Sequence, residues 1–407
     1  MADCIAGVRR GLAATTLAAA VLAAGFALSG GTSTDPPVPD GFPGVAPAFL
    51  AGAEGAGDSH GDRLDGRGGR AEIRRDRRWL AWATPLGDGA PRWARRMYRR
   101  SLLVLRALVD PRSGAAVAGP RAGWAYVWPR DAGAVALALA SAGYRQEARR
   151  IVRFLLGLDL DASARFDRDG KPVEGRGAQG DAAGWIAAAA RAARVEDASR
   201  RVEVRLSQSD WRGHADYQEK DSGDYLGNGI ASAFAAGPED PPRRGALFAG
   251  AFEGGGGLAR MAEDPSSGLD SAAAWAVRPF PMPALYPAVR RTLLRLVAER
   301  ESRFGLLPSE DWNGGDDPWT APTAWSAWSL AALARIDWGA GRRRAAKVDR
   351  TAALRLLGDL RRAATPLGLL PERVDAQTGL PTSTTPLAWS HAFAILAIRE
   401  LWPTRAS

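Results

Sequence analysis

From Met97 onward, apolar and alanine positions recur at spacings of three and four, and glycine or proline lies at most of the breaks. Such a period gathers the apolar residues of each segment on one helical face. It predicts helices over about 93–109, 131–142, 145–158, 181–195, 226–236, 246–262, 268–276, 283–300, 321–336, 342–358 and 387–401. No run of alternating apolar and polar residues predicts an open sheet. Most of these segments are too apolar to stand alone in water, so each must bury a face against its neighbours. The number of segments approaches that of a double ring of helices. The predicted fold is therefore all-α, an (α/α)6 barrel with its chemistry on the loops at one end. An open solenoid of helical repeats is the alternative, because counting helices does not separate a closed ring from an arc.

Ahead of these helices the pattern changes twice. Arg9 and Arg10 lead into an uncharged, mainly apolar run from Gly11 to Leu28, with a small-residue exit around Ala27 to Ser29. Residues 1–29 are expected to be a signal peptide or an N-terminal membrane anchor, which makes the protein secreted or anchored on the outer side of the cytoplasmic membrane. Residues 30–72 are rich in Pro, Gly, Asp and Ser and lack a period. That composition buries too little apolar surface to offset the entropy of ordering, so the segment reads as a disordered linker before a helical domain over 73–407.

Composition narrows the partners. Apolar residues make up 46% of the 407, enough for a large core. The net charge of +9 is carried by arginine, since lysine occurs only at Lys171, Lys220 and Lys347. The arginines are scattered among acids instead of forming one block, so no nucleic acid is expected as a partner; association with an anionic envelope or membrane surface fits better. The single cysteine, Cys4, precedes the apolar run, which leaves an exported chain without disulfides. His60, His214 and His391 share no ligand spacing, and no metal or organic cofactor is expected.

The candidate chemistry lies in six segments. Glu219 occurs in His214-Ala-Asp-Tyr-Gln-Glu-Lys220 and Glu372 in Leu370-Pro-Glu-Arg-Val-Asp375. Two carboxylates facing each other across a cleft are the minimal apparatus for cutting a glycosidic bond, because one holds a proton while the other stays charged. In Trp124-Ala-Tyr-Val-Trp-Pro-Arg-Asp131, Arg130 and Asp131 offer directional hydrogen bonds beside the flat rings of Trp124, Tyr126 and Trp128. Sugars need that mixture of hydroxyl partners and C–H surfaces, although Asp131 also reads as a helix cap. Between Leu307 and Trp319, Glu310 or Asp311 is expected to bind hydroxyls and Trp312 or Trp319 to wall a pocket; a plain turn explains the glycines and acids equally. The fifth and sixth segments are Gln179-Gly-Asp-Ala-Ala-Gly-Trp185 and Trp389-Ser-His391. Ser390 lacks the Gly-x-Ser-x-Gly turn of a nucleophile, and His391 either lines the pocket or packs within its helix.

In this order the motifs resemble the catalytic domain of glycoside hydrolase family 15, the glucoamylase-like and glucodextranase-like enzymes. The match is Trp128-Pro-Arg-Asp131 before an alanine-rich helix, then the segment ending at Trp185, Asp216-Tyr-Gln-Glu219, the loop to Trp319, and the Glu372 region before Trp389. The family's Asp-x-Trp-Glu carries Gln218 here in place of tryptophan, and an acid often found next is Lys220. The resemblance implies hydrolysis of α-glucosidic bonds at the non-reducing end of a small glucan or disaccharide, with inversion. Glu219 would be the general acid, its proton retained by burial beside aromatic rings, and Glu372 the general base. Trp128, Arg130, Asp131, Glu310, Asp311, Trp312 and Trp319 would bind an α-linked glucose oligosaccharide or disaccharide. A phosphorolytic enzyme of the same fold and a non-catalytic envelope glycan-binding protein are the alternatives.

Overall fold

The computed structural model describes residues 66–195, 212–219, 223–236, 250–254 and 256–404. The expected signal or anchor at 1–29 lies outside them, as does the linker up to residue 65. The described α-helices are α1 Gly66–Leu80, α2 Arg92–Leu108, α3 Pro129–Ser141, α4 Arg145–Leu156, α5 Ala182–Ala193 and α6 Leu226–Ala235, followed by α7 Tyr286–Glu299, α8 Thr320–Gly339, α9 Arg343–Ala363 and α10 Ala388–Leu401. Helix α1 begins inside the stretch expected to be linker. None of the described helices is long and apolar enough to cross a membrane.

Packing separates two kinds of helix. In α4, Ala148, Ile151, Val152 and Leu155 are buried, the one-sided stripe of a helix that faces solvent on its other side. In α3 every residue from Pro129 to Ala140 is buried, and α5 and α10 are covered almost as completely. A helix that is apolar all round requires neighbours on every side. The inner elements supply them in sequence: α3 packs on α5, α5 on α6, α6 on a 3₁₀ helix at Ser271–Ala276, that helix on α8, α8 on α10, and α10 back on α3. The last contact closes the ring and excludes the open solenoid. The fold is an (α/α)6 barrel, with α2, α4, α7 and α9 among the outer helices.

Its interior is filled with rings. Trp185, Trp275, Trp325 and Trp389 form a chain of edge-on contacts at centroid distances of 5.1, 5.4 and 5.3 Å. Such geometry adds to the burial of large apolar area. Alanine and glycine on the inner helices allow the backbones to approach closely. A Cβ on Gly184 would meet the Ala231 carbonyl oxygen at 2.3 Å. Gly184→Ala is therefore expected to destabilise the barrel by about 1–3 kcal/mol through overpacking, measurable as a lower Tm in thermal unfolding.

Two predicted helices are corrected. Of the segment 246–262, residues 246–249 lie outside the described residues and 250–251 are helical, but from Glu253 the chain forms β1 Glu253–Gly254 and β2 Gly257–Met261, and β2 pairs antiparallel with both β1 and β3 Asp264–Leu269. The glycine run from Gly254 to Gly257 explains the error, because glycine is a poor helix former and Gly256 has φ +84°. The segment 268–276 contains the end of β3 and the short 3₁₀ helix, which starts after Asp270, whose carboxylate accepts the Ala272 N–H at 2.7 Å. A second small hairpin pairs β4 Glu301–Ser302 with β5 Gly305–Leu306.

Candidate active site

Each chemistry-bearing segment runs into the N-terminus of an inner element: Trp124–Trp128 into α3, Arg176–Asp181 into α5, His214–Glu219 towards α6, Arg260–Asp270 into the 3₁₀ helix, Ser309–Trp319 into α8 and Leu370–Leu387 into α10. Helix N-termini carry partial positive charge and unpaired N–H groups, which favours a carboxylate-rich end of the barrel.

Glu219 and Glu372 are brought to the same segment. Trp128 Nε1 donates to Glu219 Oε1 at 2.7 Å, and Trp124 Nε1 donates to Glu372 Oε1 at 3.4 Å. The chain between these tryptophans spans no more than about 14 Å even when extended. Side chains expected to form one acid–base pair are thus both tied to the segment that leads into α3.

The Glu372 side is held by main-chain ties. Glu372 N–H donates to the Thr384 carbonyl and the Glu372 carbonyl accepts the Thr320 N–H, both at 3.0 Å. The Thr320 hydroxyl bridges the Pro371 carbonyl and Ser390, which accounts for Ser390 as a helix-packing residue. His391 accepts the Leu370 N–H on Nε2 at 2.9 Å and meets Ser101 through Nδ1. Burial holds His391 down at about 3, so it is a neutral structural residue that fixes the chain two positions before Glu372. Ser383 donates to Glu372 Oε2, a partner with no signal in the sequence. The neighbouring Arg373 pairs with Glu372 only loosely, its Nε 4.0 Å from Oε2.

The Glu219 side departs from expectation. Its side chain is 21% exposed, and its Oε2 forms an ion pair with Arg176, a residue the sequence reading passed over in a glycine-flanked loop. The surroundings of Glu219 therefore include a cation as well as rings. Glu219 itself has φ 54°, a left-handed conformation that costs a non-glycine residue about 1–2 kcal/mol and is found where function over-determines the backbone. The three residues before it are anchored. Asp216 accepts from Arg260 at 2.8 Å, Tyr217 donates to Asp270 at 2.8 Å, and the Gln218 amide donates to Ser309 at 3.1 Å. Gln218, which replaces the family's tryptophan, thus serves as a buried hydrogen-bonding anchor.

Arg130 and Asp131 lie in the first turn of α3, both buried. Arg130 donates to Gln179 Oε1 at 2.6 Å and to Asp181 at 3.3 Å, and its guanidinium lies over the Trp389 ring at 4.7 Å. The segment ending at Trp185 is thereby explained: Gln179 and Asp181 orient the arginine. Asp131 is not the cap of α3, since Trp128 occupies that position. Burial pushes Asp131 up to about 7, with Arg130 opposing and Asp181 and Glu372 assisting. The folded state therefore binds this proton more tightly than the unfolded chain does. The stabilisation is complete below about pH 4 and is lost as pH rises through 7. Asp131→Asn, which does not titrate, is expected to show a flatter Tm between pH 5 and 8 than the parent protein in differential scanning calorimetry.

The Leu307–Trp319 loop is used differently from expectation. Glu310, expected to bind hydroxyls, accepts the Leu269 N–H on Oε2 at 2.8 Å, while its Oε1 lies 3.2 Å from Arg295 and has no hydrogen-bond partner among the described residues. Asp311 is bound by buried Arg260 at 2.9 Å and by Ser309. Trp312 and Trp319 form an edge-on pair at 5.1 Å, and Trp319 adjoins the backbone of Arg373, next to Glu372. That position suits a wall.

Several buried polar atoms at this end lack a hydrogen-bond partner among the described residues: Asp131 Oδ2, Asp181 Oδ1, Gln218 Oε1, Trp319 Nε1, Thr384 Oγ1 and Trp389 Nε1.

The closed double ring of helices brings Glu219 and Glu372 to the segment ahead of α3. A family model described as glycosyl hydrolases family 15 matches residues 93–158. A wild-type glycosidase superposes with a TM-score of 0.61 at 21% identity, covering 76% of this chain and 97% of the other. The glucoamylase from Saccharomycopsis fibuligera gives 0.63 at 13% identity over 78% and 98%. A bacterial glucoamylase complexed with acarbose gives 0.63 at 16% identity over 82% of this chain and 58% of its own length. No curated protein matches in sequence. The family match is thus confined to 66 of the 407 residues, and over most of its length the chain is similar in fold to glycosidases and glucoamylases.

Proposed function

We propose that the protein hydrolyses an α-glucosidic bond at the non-reducing end of a small glucan or disaccharide, with inversion at the anomeric carbon. The observation that carries the reading is the pair of indole contacts from Trp124 and Trp128 to Glu372 and Glu219. Complexes of similar barrels with glucose and with acarbose, in a glycosidase variant and in the bacterial glucoamylase, support a glucose-based substrate.

In this mechanism Glu219 protonates the departing oxygen while Glu372 draws a proton from a water attacking the opposite face. An inverting enzyme needs about 6.5–9.5 Å between the two carboxyl groups to admit that water. Arg130, fixed by Gln179, Asp181 and Trp389, and Asp131 beside it hold outer hydroxyls of the terminal glucose, so that binding energy is converted into placement of the bond. Trp128, Trp312 and Trp319 supply apolar ring surface. The ion pair with Arg176 favours the charged form of Glu219, which cannot donate a proton. The sugar therefore displaces Arg176, whose side chain is 39% exposed, as the cleft fills. Removing this cation makes protonation easier in the free enzyme: Arg176→Ala is expected to move the alkaline limb of the kcat/KM profile to higher pH, read from steady-state rates between pH 4 and 9.

Export to the outer side of the cytoplasmic membrane remains part of the proposal and rests on residues 1–29. The test of the reaction is glucose release from a panel of α-linked disaccharides with and without inorganic phosphate. Release of free glucose independent of phosphate supports hydrolysis. A strict phosphate requirement with glucose phosphate as product points to phosphorolysis, and binding without turnover points to a glycan-binding protein.

A further inference from the structure

A cleft of about 650 Å³, lined by none of the candidate site residues, lies between the first half of α2 and the segment that follows α9. Arg92, Arg96, Arg99, Arg100 and Arg361 line it, together with Trp93, Met97 and the turn from Ala364 to Gly368, and none of its lining residues is acidic. Across the chain 45 acids accompany 54 basic residues, so five arginines without one acid is a local departure and not the general surface.

The position of these arginines makes the departure costly. Arg92, Arg96, Arg99 and Arg100 recur at helical spacings that put them on one face, where like charges three or four residues apart repel. They also crowd the N-terminal half of α2, the positive end of the helix dipole. That helix has no acidic residue in its first turn, and Pro91 at its cap provides no side-chain hydrogen bond. Arg95, on another face, donates to the carbonyls of Gly87, Asp88 and Ala90, and Arg100 lies within electrostatic reach of buried Asp76. Arg361 approaches from the end of α9, its guanidinium 5.8 Å from the centre of the Trp93 ring. On the far wall Gly368, at φ +75°, leaves room for Arg100: a Cβ there would stand 3.2 Å from its Cγ.

We infer that this cleft is a binding site for a multivalent phosphate-bearing anion, distinct from the sugar site. Planar guanidinium forks match phosphate oxygens pairwise, and the exposed N–H groups at a helix start add further donors. A bound dianion removes the repulsion along α2 and complements its dipole. The chemistry is shared by a soluble phosphate ester and by a phospholipid headgroup, and does not depend on the hydrolase reading.

The experiment uses the full chain. Inorganic pyrophosphate is titrated by calorimetry at low ionic strength, and vesicles of phosphatidylglycerol in phosphatidylcholine are tested by flotation. Arg92→Ala/Arg99→Ala/Arg361→Ala is compared with Arg77→Ala/Arg153→Ala/Arg344→Ala, which removes the same charge elsewhere. The cleft variant is expected to bind pyrophosphate at least about tenfold more weakly, and the control within roughly threefold of the parent. Its Tm without ligand should equal or exceed that of the parent, because the substitutions relieve repulsion; a marked fall in Tm would show the arginines to be structural and overturn the proposal. Vesicle binding that pyrophosphate reverses assigns the site to a lipid headgroup, and pyrophosphate binding without vesicle binding assigns it to a soluble anion. Absence of pyrophosphate binding, or an equal loss in both triple variants, overturns the inference.

Discussion

Replacing Glu372 with glutamine is expected to lower kcat on an α-linked glucose disaccharide by about two to four orders of magnitude while KM changes only a few-fold. The amide keeps the shape of the side chain: its oxygen can still accept from Trp124, and its NH2 can donate to the Ser383 hydroxyl, which reverses its role. It cannot take a proton from water, and general-base assistance contributes roughly 10²–10⁴ to such reactions. Because the loss falls on the transition state, it appears in kcat and in kcat/KM alike. The backbone ties of Glu372 to Thr384 and Thr320 do not involve the carboxyl group, so the variant should unfold at the parent Tm. Steady-state kinetics and thermal unfolding on one preparation check both parts. Full activity in the glutamine variant would exclude Glu372 as the base, and activity retained only with phosphate would favour phosphorolysis.

The second large effect concerns Glu219. Glu219→Gln is expected to reduce kcat on a disaccharide by a similar factor of about 10²–10⁴, since the leaving sugar oxygen departs poorly without a proton. An α-glucosyl fluoride, whose leaving group needs little protonation, should lose far less. This dependence on the leaving group separates an acid from a residue that merely supports the fold, because a distorted site would slow both substrates. The Trp128 contact predicts a companion effect: Trp128→Phe keeps the ring and removes the N–H that orients Glu219, so it should lower kcat on the disaccharide more than on the fluoride.

Much of this arrangement was legible in the sequence because the inner helices are nearly all apolar. Segments such as Pro129–Ser141 and Ala388–Leu401 are buried on every side, and a chain with several of them has few ways to cover them other than a ring. The site motifs were readable for a related reason, as each precedes an inner helix and carries polar and aromatic residues that a buried helix start would not otherwise need. The misreadings have local causes. Ala251 to Met261 has apolar residues at helical spacing, but its glycine run and pairing with Asp264–Leu269 make a hairpin. That hairpin carries Arg260 to Asp216, Asp270 and Asp311, a junction joining residues far apart in sequence. Glu310 reads as a ligand residue in a turn, yet its partners Leu269 and Arg295 are known only from the fold. Arg176 and Ser383, which touch the two candidate carboxylates, stand in loops whose composition is that of ordinary turns.

The account stands on Glu219 and Glu372 acting from opposite faces of one sugar, and the anomer of the first glucose released reports this most directly. Proton NMR recorded within the first turnovers on an α-linked disaccharide, before mutarotation, is predicted to show β-glucose from the non-reducing residue. Initial release of α-glucose from that residue would contradict it.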